Sequence, residues 1–363
     1  MINFSINGFG RIGRSATRVW LNSHLEDSNL VAINTSGSQG IEGWAYLLKY
    51  DTTYGVLPYP ISSEEVQKPD QVTTENPLLG YLIIEHPKKI IKLPVLAQKD
   101  PAKIPWDSYL AEIVIESTGA FTSLEKAIMH ICGGVKLVVL SAPAKGSGVP
   151  TAVLSVNDKE VFAHERVNSI SVISNASCTT NNIAPVAKVM YNKLGVLKAM
   201  ITTVHGYTDD QNLQDNSHKD LRRSRAAAQN IVPTSTGAAI AATQAIPHLK
   251  NLFDGISLRV PVITGSITDL TFVSQRATSV EEVNQILSNA ANSPQYKGIL
   301  AVTNEKIVSS DVVGRPESSI VDLDMTRVVD GTLVKILSWY DNEWGYANRL
   351  VEEVVRAGEA MEK

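Results

Sequence analysis

The chain lacks most of what would assign it to a special environment. Its 363 residues contain two cysteines, Cys132 and Cys178. Two cannot build a disulfide framework, so both are read as reduced thiols in the cytoplasm. A formal net charge of -4 gives no electrostatic case for nucleic acid or an anionic membrane as partner. No apolar run approaches membrane-spanning length. Met1 leads straight into the strand-like Ile2-Asn3-Phe4-Ser5-Ile6-Asn7, so no secretory leader is expected. Internal repeats and low-complexity tracts are missing too, and no metal site is expected. What remains is 44% hydrophobic and 19% charged, the balance of a chain that buries sizeable cores. Single cores stop growing beyond roughly 250–300 residues, so the length allows two domains.

The first third alternates strand-like and helix-like signals. Ile2, Phe4 and Ile6 alternate with polar residues, a glycine-rich turn follows, and a helical stretch runs on to Trp20. A second strand is expected at 30–34. The short β-branched runs at 113–115 and 137–140 read as strands buried on both faces, with a helical segment at 123–131 between them. This order predicts a doubly wound, parallel α/β sheet. After a helix over 182–194 come longer strand-like runs at 199–204, 256–262, 267–275, 319–329 and 332–339. They suggest an α+β unit with a mainly antiparallel sheet and helices on one side. The 56–96 segment carries strand-like pieces at 78–84 and 90–96 but no recognisable purpose. The last residues, 347–362, place Leu350, Val351, Val354 and Val355 on one helical face.

Gly8-Phe9-Gly10-Arg11-Ile12-Gly13 is a G-x-G-x-x-G between a strand and a helix, the context that makes this weak pattern informative. The first glycine allows the tight turn and the second admits a pyrophosphate. The third lets strand and helix pack closely, while the helix N-terminus supplies N–H groups. A dinucleotide is the expected ligand. An NAD site usually carries an acid at the end of the second strand; here the strand ends Ile33-Asn34-Thr35-Ser36-Gly37. Without that charge a ribose 2′-phosphate is not repelled, and the hydroxyls of Thr35 and Ser36 could donate to it. NADP acceptance is therefore favoured, with NAD as the alternative.

Ser174-Asn175-Ala176-Ser177-Cys178-Thr179-Thr180-Asn181-Asn182 lies between a strand and a helix. Cys178 falls at the helix start, where N–H groups and the dipole stabilise a thiolate. Cys132, beside Gly133-Gly134, reads as a packing residue. Of the seven histidines, His205 ends an apolar strand and is the best candidate for the base that a nucleophilic thiol needs.

These residues resemble the glyceraldehyde-3-phosphate dehydrogenase family over nearly the whole chain. The carriers are 7–14, 174–181 and the C-terminal Ser338-Trp339-Tyr340-Asp341-Asn342-Glu343-Trp344-Gly345-Tyr346. The resemblance implies a cofactor domain at 1–177, a catalytic domain at 178–345 and a terminal helix, 346–363, that packs back on the first. Cys178 and His205 would be catalytic. Gly8, Gly10, Arg11, Ile12, Gly13, Asn34, Thr35, Lys99, Thr118, Gly119, Ser141, Ser217, Asn342 and Tyr346 would contact the cofactor. Thr208, Asp210 and Arg259 match one anion pocket and Ser177, Thr179, Thr236 and Gly237 another, with Arg222 close to both.

The implied substrates are glyceraldehyde 3-phosphate and inorganic phosphate, and the implied assembly is a homotetramer. In it the loop at 206–231 would reach a neighbour's cofactor. Thr35, Lys99 and the pair Asn216-Ser217 depart from the pattern of NAD-using members, and Ser217 matches NADP-using ones. An erythrose-4-phosphate dehydrogenase is the nearest rival; the Ser-Thr-Gly-Ala-Ala pattern at 235–239, which that family typically lacks, speaks against it. A non-catalytic interaction protein that kept the fold is the rival of another class.

Overall fold

The computed structural model describes residues 1–362, which fall into two compact units. The first takes Met1–Ala152, Lys159–Asn175 and the chain from Ala347 on, and the second Val153–Asp158 and Ala176–Tyr346.

The strands of the first unit are β1 (Ile2–Asn7), β2 (Ser28–Asn34), β5 (Ile61–Glu65), β6 (Leu78–His86), β7 (Lys89–Leu96), β8 (Ile113–Glu116), β9 (Leu137–Leu140) and β10 (Val172–Ser174). Between β2 and β5 a two-residue ladder pairs β3 (Tyr50–Asp51) with β4 (Gly55–Val56). The eight-stranded sheet runs β10-β9-β8-β1-β2-β7-β6-β5. Every pair from β10 to β7 is parallel. Strands of such a sheet are covered on both faces, and Ile6, Ile33, Val114, Ile115, Val138 and Val139 are fully buried. The 56–96 segment completes this sheet: β5, β6 and β7 form its antiparallel edge.

The second unit is built on β11 (Val196–Gly206), β12 (Val232–Ser235), β13 (Phe253–Val260), β14 (Ser266–Ser274), β15 (Leu300–Thr303), β16 (Ser319–Val329) and β17 (Leu333–Tyr340). Their order is β12-β13-β11-β14-β17-β16-β15. The sheet is mixed, because β11–β13 and β15–β16 pair in parallel and the rest antiparallel. Between β11 and β13 the chain makes β12 and the helix Ala238–Ala245, a crossover long enough to return in the same direction. That helix, Cys178–Leu194 and Val280–Ala291 cover one face, packing Ile183, Met190, Ala242 and Leu287 against Ile201, Leu270, Phe272 and Ile336.

The unit boundary departs from a single cut after residue 177. Val153 packs in the core of the second unit, and Ser155 exchanges hydrogen bonds with Gln295, its Oγ donating at 2.7 Å and its carbonyl accepting at 2.8 Å. Tyr346 also belongs there, its hydroxyl donating to the Ala176 carbonyl at 3.1 Å.

Candidate active site

In the first unit the glycine turn follows β1 and leads into the helix Arg11–Val19. Gly8 has φ +99°, a conformation that favours glycine, and a Cβ there would lie 2.7 Å from the Thr118 amide. A Cβ on Gly13 would meet the Gly8 carbonyl oxygen at 2.1 Å, whereas one on Gly10 would meet nothing within 4 Å. The helix has no side-chain cap and no acid in its first turn, so its N–H groups stay available to an anion. These features fit a dinucleotide pyrophosphate at Gly10. Gly13→Ala is therefore expected to cost about 3 kcal/mol in urea unfolding, because backbone cannot yield. Gly10→Ala should leave the unfolding midpoint nearly in place and weaken dinucleotide binding by about tenfold or more.

The neighbours of this turn are tied together by a buried network. Asn34 Nδ2 donates to Asn7 Oδ1 at 2.7 Å, and Asn7 Nδ2 donates to Glu116 Oε2 at 2.5 Å. Trp106 Nε1 donates to His130 Nδ1 at 3.2 Å, which leaves the proton on His130 Nε2 to meet Glu116 Oε2 at 3.0 Å. The Thr118 amide and hydroxyl both donate to Glu116 Oε1. Asn34 and Thr118, read from sequence as cofactor contacts, thus have side chains engaged within the protein. Arg11 forms an ion pair with Asp51 at 3.0 Å.

Thr35 is a correction. It is buried, and its hydroxyl donates to the Leu96 carbonyl at 3.0 Å while accepting from the Gly37 amide at 3.2 Å. Its single proton joins the ends of β2 and β7, so it is no free donor for a phosphate. Ser36 and Lys99 are exposed near it, Gly119 and Ser141 follow β8 and β9, and Ile12 lies in the helix's first turn.

In the second unit Ser177 caps the helix Cys178–Leu194, its Oγ accepting from the Thr180 amide at 3.1 Å. Cys178 is the first helical residue, the position where unpaired N–H groups favour a thiolate. Just before it Ala176 holds φ +52°, a strained conformation for a residue with a Cβ; the Tyr346 hydroxyl fixes its carbonyl. Cys178 Sγ lies 3.3 Å from His205 Nε2. His205 is 3% exposed, and its Nδ1 sits 2.6 Å from the Gly206 carbonyl. A carbonyl only accepts, so Nδ1 carries the proton and Nε2 turns its lone pair to the thiol.

Burial pushes the Cys178 thiol up, against Arg259 and the Thr179 contacts, which pull it down. Burial and then Arg259 push the His205 imidazole down to about 3, against the Gly206 carbonyl and Asp210. Each group alone resists becoming charged. Passing one proton from sulfur to Nε2 creates an ion pair with no net charge, the form that this contact permits.

Arg259 stands beside His205 as its register partner on β13. Its Nη1 donates to Thr208 Oγ1 at 2.7 Å, and its Nε is buried without a hydrogen-bond partner among the described residues. No carboxylate is ion-paired with it among those residues, so this guanidinium is suited to an outside anion. Thr208 donates to Asp210. The arginine that joins them is Arg223, ion-paired with Asp210 and hydrogen-bonded to Thr234. Arg222, the one singled out from sequence, is exposed, its amide donating to Asp220 Oδ1 at 2.9 Å and its Nη1 lying 3.5 Å from the Pro233 carbonyl.

A second group forms where two helix starts meet. Thr180 Oγ1 donates to the Ala238 carbonyl at 3.4 Å, and Thr236 Oγ1 accepts from the Ala238 amide at 3.2 Å, next to Gly237. The Thr179 side chain touches Cys178, and its hydroxyl is also buried in a chain with Tyr340 at 2.8 Å, which continues to Thr203 at 2.9 Å. Asn342 Oδ1 accepts from Thr264, Gly265 and Ser266 at 3.2, 3.2 and 2.8 Å, leaving the Nδ2 end as its donor. Ser217 is exposed on the loop after β11. Among the described residues no group of three or more His, Cys, Asp or Glu could hold a metal ion, and no helix is long and apolar enough to cross a membrane.

A doubly wound nucleotide-binding unit, with a second unit that sets a thiol against an imidazole and an arginine, is the make-up of a thiol-dependent dehydrogenase. Comparison with known families narrows the class. The model described as glyceraldehyde 3-phosphate dehydrogenase, NAD binding domain, matches residues 2–124. That described as glyceraldehyde 3-phosphate dehydrogenase, C-terminal domain, matches 177–342. The chain is 47% identical over 361 residues to a glyceraldehyde-3-phosphate dehydrogenase of Streptomyces coelicolor, with 99% of both chains covered. Similar proteins from Zymomonas mobilis and Mycobacterium leprae are 43% and 44% identical, again over 99% of each chain. The chain belongs to the glyceraldehyde-3-phosphate dehydrogenase family.

Proposed function

We propose that the protein oxidises glyceraldehyde 3-phosphate to 1,3-bisphosphoglycerate, with NADP or NAD as hydride acceptor, in the cytoplasm and as a homotetramer. The observation that carries this reading is the Cys178–His205 contact at 3.3 Å with Arg259 alongside. His205 Nε2 takes the thiol proton as sulfur bonds to the aldehyde carbon, and the proton goes on to the new oxyanion. The hydroxyl of this thiohemiacetal then gives its proton back to Nε2 as the carbon loses hydride, leaving a thioester. The cofactor supplies the hydride-accepting nicotinamide, and Asn342 Nδ2 would donate to its carboxamide. A phosphate oxygen attacks the thioester carbon, the carbon–sulfur bond breaks, and Cys178 leaves as thiolate with the acyl phosphate released. The Cys178 amide and the His205 imidazolium stabilise the oxyanions.

Arg259, positioned by its bond to Thr208, holds the substrate phosphate, and the exposed Arg222 with the helix start at Thr236 and Gly237 the attacking one. Met200, Ile256 and Leu333, exposed on the second sheet, support burial between subunits.

Initial rates with NADP and NAD, with and without inorganic phosphate, test this. Phosphate-dependent reduction of cofactor by glyceraldehyde 3-phosphate is expected, with kcat/KM for NADP at least equal to that for NAD. Strong NAD preference sinks the NADP half. Faster turnover of erythrose 4-phosphate, independent of phosphate, sinks the substrate assignment.

A further inference from the structure

We infer that the connection between β5 and β6, residues 66–77, forms a wall of the niche for a ribose 2′-phosphate, with Thr73 and Thr74 as specificity-determining residues beside Lys99. This rests on the NADP reading above. A cavity of about 250 Å³ is lined by Ser36, Thr73, Thr74, Gln98 and Lys99, with Pro69, Val72 and the short Gly37 and Ala97 completing it. It lies just past the ends of β2 and β7, which pair in parallel through Ile33↔Val95 and Asn34↔Leu96. The ribose of a dinucleotide meets a doubly wound sheet at the carboxyl end of its second strand.

The lining fits a phosphate rather than bare ribose hydroxyls. No carboxylate lines the cavity, so nothing there accepts from a 2′-hydroxyl or repels a dianion. Thr73 Oγ1 accepts from the Asn76 amide at 3.1 Å, which leaves its proton to donate. No hydrogen bond of the Ser36 or Thr74 hydroxyl, and no ion pair of Lys99, occurs among the described residues. Asp100, the acid next in sequence, instead pairs with Lys103 at 3.6 Å and accepts from the Ala102 amide. Three hydroxyl donors and one ammonium therefore line one cavity where Thr35 cannot serve.

The connection is also held in place. Gln67 Nε2 donates to the Asn76 and Leu78 carbonyls at 2.8 Å each, and Pro69–Gln71 form a 3₁₀ turn. The Ala97 amide donates to the Pro77 carbonyl at 2.8 Å, joining the connection to the end of β7. Donors fixed before the ligand arrives lose little freedom on binding it. This gives the long 56–96 segment a use that its sequence does not announce.

The test is calorimetric titration of the full chain with adenosine 2′,5′-bisphosphate and with adenosine 5′-monophosphate, probes that differ only in the 2′-phosphate. The wild type is expected to bind the bisphosphate about tenfold or more tightly than the monophosphate. Thr73→Val/Thr74→Val should cut that advantage about fivefold or more, and Lys99→Met at least as much. The ratio of kcat/KM for NADP to that for NAD should fall with it. All three side chains are exposed, and thermal melts verify that the variants fold. If the wild type shows no preference for the bisphosphate, the NADP reading itself fails. If it shows one that both variants keep, or if the variants weaken the two probes equally, the role assigned to the connection is overturned while NADP use stands.

Discussion

Cys178→Ser is expected to lower kcat for phosphorylating oxidation by about 10⁴-fold or more, with the fold and dinucleotide affinity retained. Serine keeps the size of the side chain and its place at the helix start, where Ser177 supplies the cap. What it changes is the acidity of the attacking group. A thiol gives up its proton to an imidazole far more readily than an alcohol does. Carbon–oxygen bonding also replaces the thioester by an ordinary ester, a poorer acyl donor to phosphate. Steady-state rates, a thermal melt and a titration with reduced cofactor check the three parts together. Retention of a tenth of wild-type activity removes the thiol from the mechanism.

His205→Asn should act on the same thiol from the other side. Without an imidazole, the proton of Cys178 has to go to solvent, and burial already pushes that thiol above its ordinary value. The sign follows: alkylation by iodoacetamide, appreciable at neutral pH in the wild type, should in the variant rise only as pH passes the free-thiol range near ~8.5. At pH 7 the alkylation rate should fall by about tenfold or more. The kcat loss should be larger, about 10²–10⁴-fold, because the base is also needed when the thiohemiacetal loses its hydroxyl proton. A variant whose alkylation profile overlays the wild type's would show that His205 does not share the proton.

Two kinds of signal made much of this legible. Cys178 and His205 lie at ends of regular elements, where periodicity says which residue comes first or last. The apolar face at Ile183, Val186 and Met190 fixes the helix, hence its start, and the run from Ile201 to Val204 fixes the strand, hence the exit at His205. Both cores were visible in the same way.

What stayed hidden shares a physical cause, which is contact between residues far apart in the chain. Thr35 looks like a free hydroxyl until Leu96, 61 residues on, takes its proton. Nothing in the sequence singles out Glu116 or His130. Only the sheet order brings them to Asn7, 109 and 123 residues away. Between Arg222 and Arg223 no period decides, because the loop that carries them is neither helix nor strand. Asp210, Asp220 and Thr234 engage Arg223 and leave Arg222 exposed.

The parallel pairing of β11 with β13 has a consequence for how the site tolerates change. His205 and Arg259 are opposite one another in that ladder, four register positions from the pair Ile201↔Gly255. At Gly255 a Cβ would fall 2.5 Å from the Ile201 carbonyl oxygen, so the two strands close up there only because the side chain is missing. A slip by one residue would turn Arg259 to the opposite face and put Asp254 or Ile256 where only glycine fits. Gly255 thus works as an alignment pin. The chemistry inherits its tolerance from a contact several residues upstream, and a methyl group at Gly255 would misalign base and anion-holder without touching either.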